Sequence, residues 1–335
     1  MRSGEPRSIP RRIARRALTA VSGSGPARPP VSTAASHAAH GDWLESVHGE
    51  ALASIERACA DPDDGGLALF RGLDTDTWAL LLSQEYDRYP NIRSLLPAVP
   101  DPALQTLYNG RSGVPLALQS KDFYERVRTR FAEHCDRPLG AARVLDFGCG
   151  WGRLTRYFAR DVEPGSLFGC DPVQQILDEC AHAGVPATLA RTEHVPDRIP
   201  FDATFDLAFS FSVFTHISEA AHLACLRALH ASIRPGGLLI LTVRPPEYLS
   251  FSPLMAPARE RGRDASALRA EPLYLFAPHP ADESHHQYEA GEMTYGETVI
   301  TLPYVRERWD AMFELLETDL LLSDPYQTVL TLRRR

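Results

Sequence analysis

From Asp42 onward the chain takes on helical periodicity, with Leu44, Val47, Ala51, Ile55 and Ala58 falling on one face. A turn-rich DPDDGG separates this from a short strand-like LALF and a second helical segment, DTDTWALLLSQEYDRY. The stretch that follows is punctuated by Pro97, Pro100 and Pro102 and by two glycines, which predicts an irregular connection. A third helix, from about Leu116 to Cys135, places Leu116, Phe123, Val127 and Phe131 near one side. Beyond residue 140 short apolar runs alternate with helical ones. Strands are expected at VLDF, SLFGC, 187–190, FDLAFS and LLILTV, with helices at 152–160, 173–183 and after Ser218-Glu219, where Leu223, Leu226 and Leu229 face inward. Strand-like and helical segments thus alternate through this region. Residues 245–297 read as a long insertion, loop first and then two strand-like ends around a polar middle. PYVRERWDAMFELLE follows as a helix with Val305, Trp309, Met312 and Phe313 on one side, then LETDLLL and a final strand, QTVLTLRR. Arg333 to Arg335 read as a solvated tail.

Composition narrows the classes. A net charge of -8 argues against a phosphate-tracking surface, so nucleic acid is a poor default partner. No apolar run approaches 18 residues, so no membrane span is expected. The six cysteines, Cys59, Cys135, Cys149, Cys170, Cys180 and Cys225, form no CxxC pair, and reduced thiols in a cytoplasmic protein account for them. Residues 1–41 are basic and rich in Arg, Ser, Ala and Pro, and read as a disordered extension outside the fold. PRRIARRALTAV within it has the charge signature of a transit peptide.

The chemistry concentrates in VLDFGCGWG, residues 144–152. A strand ends, three glycines follow at alternate positions, Gly148, Gly150 and Gly152, and a helix begins. Glycine there permits positive φ and lets a ligand approach the backbone without a Cβ in the way. Dinucleotide enzymes use GxGxxG; the spacing here is GxGxG, with an acid, Asp146, inside the motif. A second acid, Asp171, ends the next strand-like run and is followed by Pro172 and a helix. An acid in the turn suits a ligand bearing an ammonium group, and the acid at the strand end suits a ribose diol.

This combination resembles the class I S-adenosylmethionine-dependent methyltransferases, with VLDFGCGWG as the glycine motif, FGCDPV as the ribose strand, FDLAFSFSVFTHIS as the fourth strand and IRPGGLLILTV as the fifth. The resemblance covers roughly the last two-thirds of the chain. It implies a Rossmann-like sheet of seven strands, mostly parallel with the last one antiparallel, and S-adenosylmethionine as cofactor. It places Asp146 at the cofactor's ammonium, Gly148, Cys149, Gly150 and Gly152 along its amino-acid and ribose region, and Asp171 and Pro172 at the ribose. Glu193, with its neighbours Thr192 and His194, falls where the family contacts adenine, and Ser210 and Phe211 fall at the end of the fourth strand.

Ser212, Thr215 and His216 should line the opening beyond that strand, where ligands of open α/β sheets sit. For a hydroxyl acceptor, His216 is the candidate base. The Pro-Pro-aromatic motif of nucleobase-methylating enzymes does not follow the fourth strand; RPPEY at 244–248 comes after the wrong one. His279, His285, His286, Glu289 and Glu292 show no HxxxH spacing and no thiol, so no metal is expected from them. Tyr288, Tyr295 and Tyr304 are further candidates for the pocket wall. The reading is a cytoplasmic methyltransferase acting on a small molecule, with a helical cap at 42–140, a catalytic domain at 141–335 and a lid at 245–297. A non-catalytic cofactor-binding module and a nicotinamide-dependent oxidoreductase are the alternatives.

Overall fold

The computed structural model describes residues 33–60, 66–83, 88–256, 265–280, 288–289 and 292–335. The extension read as disordered over 1–41 is helical from Thr33, and its remainder lies outside the described residues, as does the His285-His286 pair. Five helices come first: α1 (Thr33–Ala58), α2 (Thr75–Ser83), α3 (Pro90–Leu95), α4 (Pro102–Asn109) and α5 (Gly113–His134). The sheet region then runs β1 (Val144–Phe147), α6 (Thr155–Phe158), β2 (Leu167–Asp171), α7 (Gln174–His182), β3 (Thr188–Arg191), β4 (Phe205–Ser210), α8 (Glu219–Ser232) and β5 (Ile233–Val243). After α9 (Ala265–Leu268) come β6 (Tyr274–Pro278), a two-residue ribbon of β7 (Tyr288–Glu289) and β8 (Glu292–Met293), β9 (Gly296–Ile300), α10 (Leu302–Trp309), β10 (Phe313–Leu320) and β11 (Thr328–Arg334).

Seven strands form the main sheet in the order β10-β11-β5-β4-β1-β2-β3. Strands β1 to β5 are mutually parallel, and β11 enters antiparallel between β5 and β10. This is the Rossmann-like sheet expected from the sequence. The order reverses at β1, so the carboxyl ends of β1, β2 and β4 open onto one crevice. Strands β6 and β9 pair antiparallel, joining the two strand-like ends of the 245–297 segment into a hairpin. That hairpin docks on the loop after β4, where Gly296 donates to the His216 carbonyl and Thr298 to the Thr215 carbonyl.

Several local expectations change. LALF forms a 3-10 helix, Gly66–Gly72, instead of a strand. The proline-rich connection holds two helices, because Pro90 and Pro102 sit in first turns, where a missing N–H is harmless. Asp101 caps α4 by accepting from the backbone of Ala103 and Leu104, and Gly110 ends it at φ 69. On α1 the buried positions are Leu44 and Leu52, while Val47 and Ala51 face solvent. Helix α6 is a single turn, and α10 ends at Trp309, so Phe313 opens a strand. The terminal arginines are not all a solvated tail: Arg333 and Arg334 pair within β11, and Arg335 bonds Asp310.

Helices α1, α2, α3 and α5 share one hydrophobic core with a face of the sheet, where Trp78, Phe123 and Phe131 meet Phe158, Leu207, Phe209 and Ile240. Polar residues strengthen the seam. The buried Arg160 donates to the carbonyls of Phe70 and Leu73, Arg156 to that of Ala98, and Trp78 Nε1 to that of Tyr157 at 3.1 Å. The arginines of GRLTRYFAR therefore point into the protein and satisfy carbonyls that would otherwise be buried without partners. Trp78→Ala removes both a large buried ring and the bond to Tyr157, and should destabilise the protein by about 3–5 kcal/mol. Urea unfolding should remain one cooperative transition; an early separate transition of the N-terminal helices would contradict the shared core.

Candidate active site

The turn after β1 is built by its glycines. Gly148, Gly150 and Gly152 have φ of 81°, 54° and 77°. A Cβ on Gly148 would stand 2.2 Å from Val213 Cγ2, and one on Gly152 2.7 Å from both Cys180 Sγ and Val185 Cγ2. At Gly150 the nearest atom, Ile176 Cγ1, is 4.0 Å away, so the backbone borders open space there. The Gly150 N–H donates to Asp171 Oδ2 at 3.0 Å and the Val173 N–H to Oδ1 at 3.0 Å, so the acid ending β2 is held facing the turn. Burial pushes its pKa up to about 6. Pro172 follows it, partly exposed.

Asp146 lies beneath the turn, 1% exposed. Its carboxylate accepts from Thr155 Oγ1 at 2.6 Å and so braces the start of α6. Burial pushes its pKa up to about 7 against the pull of Thr155 and Arg153. The Cys149 thiol also turns inward, against Gly169. Contact with Cys180, then burial, raises it well above the ordinary thiol range, which leaves only the Cys149 backbone to face a ligand.

After β3, Glu193 is exposed, whereas Thr192 is 4% exposed and its hydroxyl has no protein partner, as is also true of His194 Nδ1. A buried hydroxyl without a partner is what a bound polar ligand would explain. At the end of β4, Ser210 donates to the Phe147 carbonyl at 2.8 Å, and Phe211 packs against Phe123 beneath the Arg153 guanidinium. Ser212 then adopts φ 64°, fixed by bonds to Thr242, Thr215 and Gln327. Strain of that kind in a non-glycine residue gathers at functional sites.

His216 sits on this loop. Its Nδ1 lies 2.8 Å from the Gly296 carbonyl, so Nδ1 carries the proton and Nε2 a lone pair that accepts from Arg244 Nη2 at 3.0 Å. Arg244, the first residue after β5, also donates to the Thr215 carbonyl and to Glu297, and lies over the Tyr248 ring. The rings of His216 and His279 both lie nearly parallel to that of Tyr295. Of the three candidate tyrosines, Tyr295 is in the site and Tyr304 instead donates to Glu219. The side chain of Tyr288 is outside the described residues. Arg244 and Glu297 were not anticipated from sequence; the available signal was that Arg244 directly follows a strand at the ligand edge.

With this geometry in place, comparison with known proteins is informative. Residues 144–237 match the methyltransferase domain family. Over those residues the chain is similar to the class I S-adenosylmethionine-dependent methyltransferases. An uncharacterized methyltransferase of Schizosaccharomyces pombe is 30% identical over 135 residues, 35% of this chain and 48% of that protein. A ubiquinone biosynthesis O-methyltransferase of Rhizobium etli is 30% identical over 114 residues, 31% of this chain and 42% of its own length. The chain thus spans about half or less of the length of these curated relatives. Among solved structures, an S-adenosylmethionine-dependent methyltransferase of Mesorhizobium loti aligns with a TM-score of 0.43 and 18% identity, covering 65% of this chain and 100% of its own. A surface groove of about 960 Å³ between α5 and Leu320–Leu322 lies apart from the glycine turn, Asp171 and His216.

The titration of Asp146 gives a test. A carboxyl whose folded pKa is raised from 3.8 to about 7 contributes stability that is full below pH 3.8 and lost as the pH rises through 7. Urea unfolding of the wild type and Asp146→Asn between pH 4 and 8 should show the wild type losing about 2–4 kcal/mol relative to the variant. Parallel pH profiles would mean that the buried carboxyl is ionised throughout.

Proposed function

We propose that this protein is a methyltransferase that moves a methyl group from S-adenosylmethionine to a small-molecule acceptor, at a hydroxyl. The single observation that carries the cofactor assignment is the pairing of the open glycine turn with the Asp171 carboxylate through the Gly150 N–H. When bound, S-adenosylmethionine supplies a methyl group already activated on a sulfonium for in-line displacement. The residues present fit it. The backbone of residues 148–152 would hold the amino-acid portion and Asp171 the ribose hydroxyls, with the unpartnered Thr192 hydroxyl available nearby. Asp146 acts from beneath the turn, where an ammonium above it and its own ionisation favour each other.

The protein's remaining task is to hold the acceptor in line and keep water out. Helices α1 to α5 serve as wall on one side, with Asn109 of α4 fixed to Trp151 beside the glycine turn. The β6–β9 hairpin closes the other side as a lid. His216 takes the acceptor's proton at Nε2, its Nδ1–H being pinned to Gly296; the acceptor must first draw Arg244 off that lone pair. The O-methyltransferases among the relatives favour oxygen as the acceptor atom. The six free cysteines support a cytoplasmic location, and no helix among the described residues is long and apolar enough to cross a membrane.

Incubating the protein with methyl-tritiated S-adenosylmethionine and a fractionated cell extract should label the low-molecular-weight fraction and spare nucleic acid. Label appearing only in protein or RNA would overturn the small-molecule reading. With the acceptor in hand, His216→Ala should lower kcat by about 10²–10⁴-fold. Full turnover by the variant would remove His216 as the base.

A further inference from the structure

We propose that His216, His279 and Glu297 form a binding site for a divalent transition-metal ion on the acceptor side of the crevice. Each offers one ligand atom, and the three lie within 4.8 Å of one another. The residues come from three places in the chain: the loop after β4, the end of β6 and the start of β9. The pairing of β6 with β9 and the docking of β9 on the loop bring them together. No local spacing could have shown it.

The surrounding bonds orient these groups as a metal site requires. The Nδ1–H of His216 is directed at the Gly296 carbonyl, the outer contact that fixes a ligating imidazole, and this leaves Nε2 as the electron-pair donor. Both imidazole rings are aligned on Tyr295, at interplanar angles of 19° and 20°. Glu297, 9% exposed, has Oε2 bonded to Arg244, while Oε1 lies 3.7 Å from His279 Nε2. The set has already accepted a cation, since the Arg244 guanidinium bridges Glu297 and the His216 Nε2 lone pair. A metal ion would displace it from that lone pair only. Arg244 would keep the Thr215 carbonyl, the outer oxygen of Glu297 and the Tyr248 ring, over which its Cζ lies at 4.1 Å.

Two imidazoles and one carboxylate suit Zn²⁺, Mn²⁺, Fe²⁺ or Co²⁺ better than Mg²⁺ or Ca²⁺. Bonds of about 2.0–2.2 Å require the ligand atoms to close by roughly 1 Å, within the reach of side-chain rotation. Three protein ligands leave positions for water or for an oxygen of the acceptor. The proposal does not rest on the methyl-transfer reading, because binding is measured without cofactor; with a metal ion on Nε2, His216 no longer serves as the base, since that lone pair is then occupied.

The test is titration of the EDTA-treated full-length protein with Co²⁺, read by visible absorption, with Zn²⁺ as competitor. One equivalent should bind with d–d bands and no thiolate charge-transfer band. His279→Gln and Glu297→Gln should each weaken binding tenfold or more. Arg244→Gln, which removes the competing cation, should bind at least as tightly as the wild type. Absence of Co²⁺ binding, a thiolate band, or unchanged affinity in His279→Gln would overturn the site. Should Glu297→Gln fail to fold once Arg244 loses its partner, His279→Gln alone decides. Titrating the wild type with S-adenosylhomocysteine beside Co²⁺ keeps the two readings apart, since absence of Co²⁺ binding with intact cofactor binding overturns only the metal site.

Discussion

The turn between β1 and α6 is the constraint from which the rest of the site follows. Its three glycines hold positive φ, and side chains from two other elements occupy the places where two of the missing Cβ atoms would be. Val213, on the loop after β4, comes close to Gly148, while Cys180 and Val185, at the end of α7 and just beyond it, come close to Gly152. A side chain at either position would push apart the elements that converge there. At Gly150 the space stays open, and the free backbone meets Asp171 across it. Packing and binding thus place different demands on neighbouring glycines of a single turn.

The buried arginines tie that turn to the N-terminal helices. Arg153 bonds Gln119 and Ser120 on α5, Arg156 bonds the Gly152 and Ala98 carbonyls, and Arg160 reaches Phe70 and Leu73. A guanidinium buried in this way is tolerated because it bonds two or more protein oxygens. Burial draws Arg153 and Arg156 down to about 10, still far above neutrality, so both remain charged. The N-terminal helices are consequently fixed to the same residues that follow the glycine turn. A displacement of those helices would be felt at the turn.

Strands β1, β2, β4 and β5 were legible in the sequence because each holds a short apolar run bounded by turn residues, and the resemblance supplied their arrangement; the start of β10 was read as helix because FELLE carries mixed polarity. The glycine turn and Asp171 were legible because their chemistry is local. What escaped has physical causes. Pro102 was read as a breaker although a proline in a first turn begins a helix as readily as it ends one. Val47 and Ala51 were placed on the buried face of α1, but the stripe that meets the core runs through Leu44 and Leu52, with His48 facing Asp74. Arg156 and Arg160 were invisible as core residues because charge reads as exposure. The grouping of His216 with Arg244, Glu297 and His279 depends on the β6–β9 pairing, and sequence separations of 28 to 81 residues carry no periodic signal.

The central claim is that the open turn and Asp171 together form the cofactor pocket. Calorimetric titration with S-adenosylhomocysteine, comparing the wild type with Asp171→Ala and using NAD as a control ligand, tests it most directly. The account predicts one-to-one binding of S-adenosylhomocysteine by the wild type, loss of at least tenfold in affinity in the folded variant, consistent with about 1.5–3 kcal/mol for a charged hydrogen-bond partner, and no binding of NAD. Equal affinity in the two proteins, or preference for NAD, would contradict it.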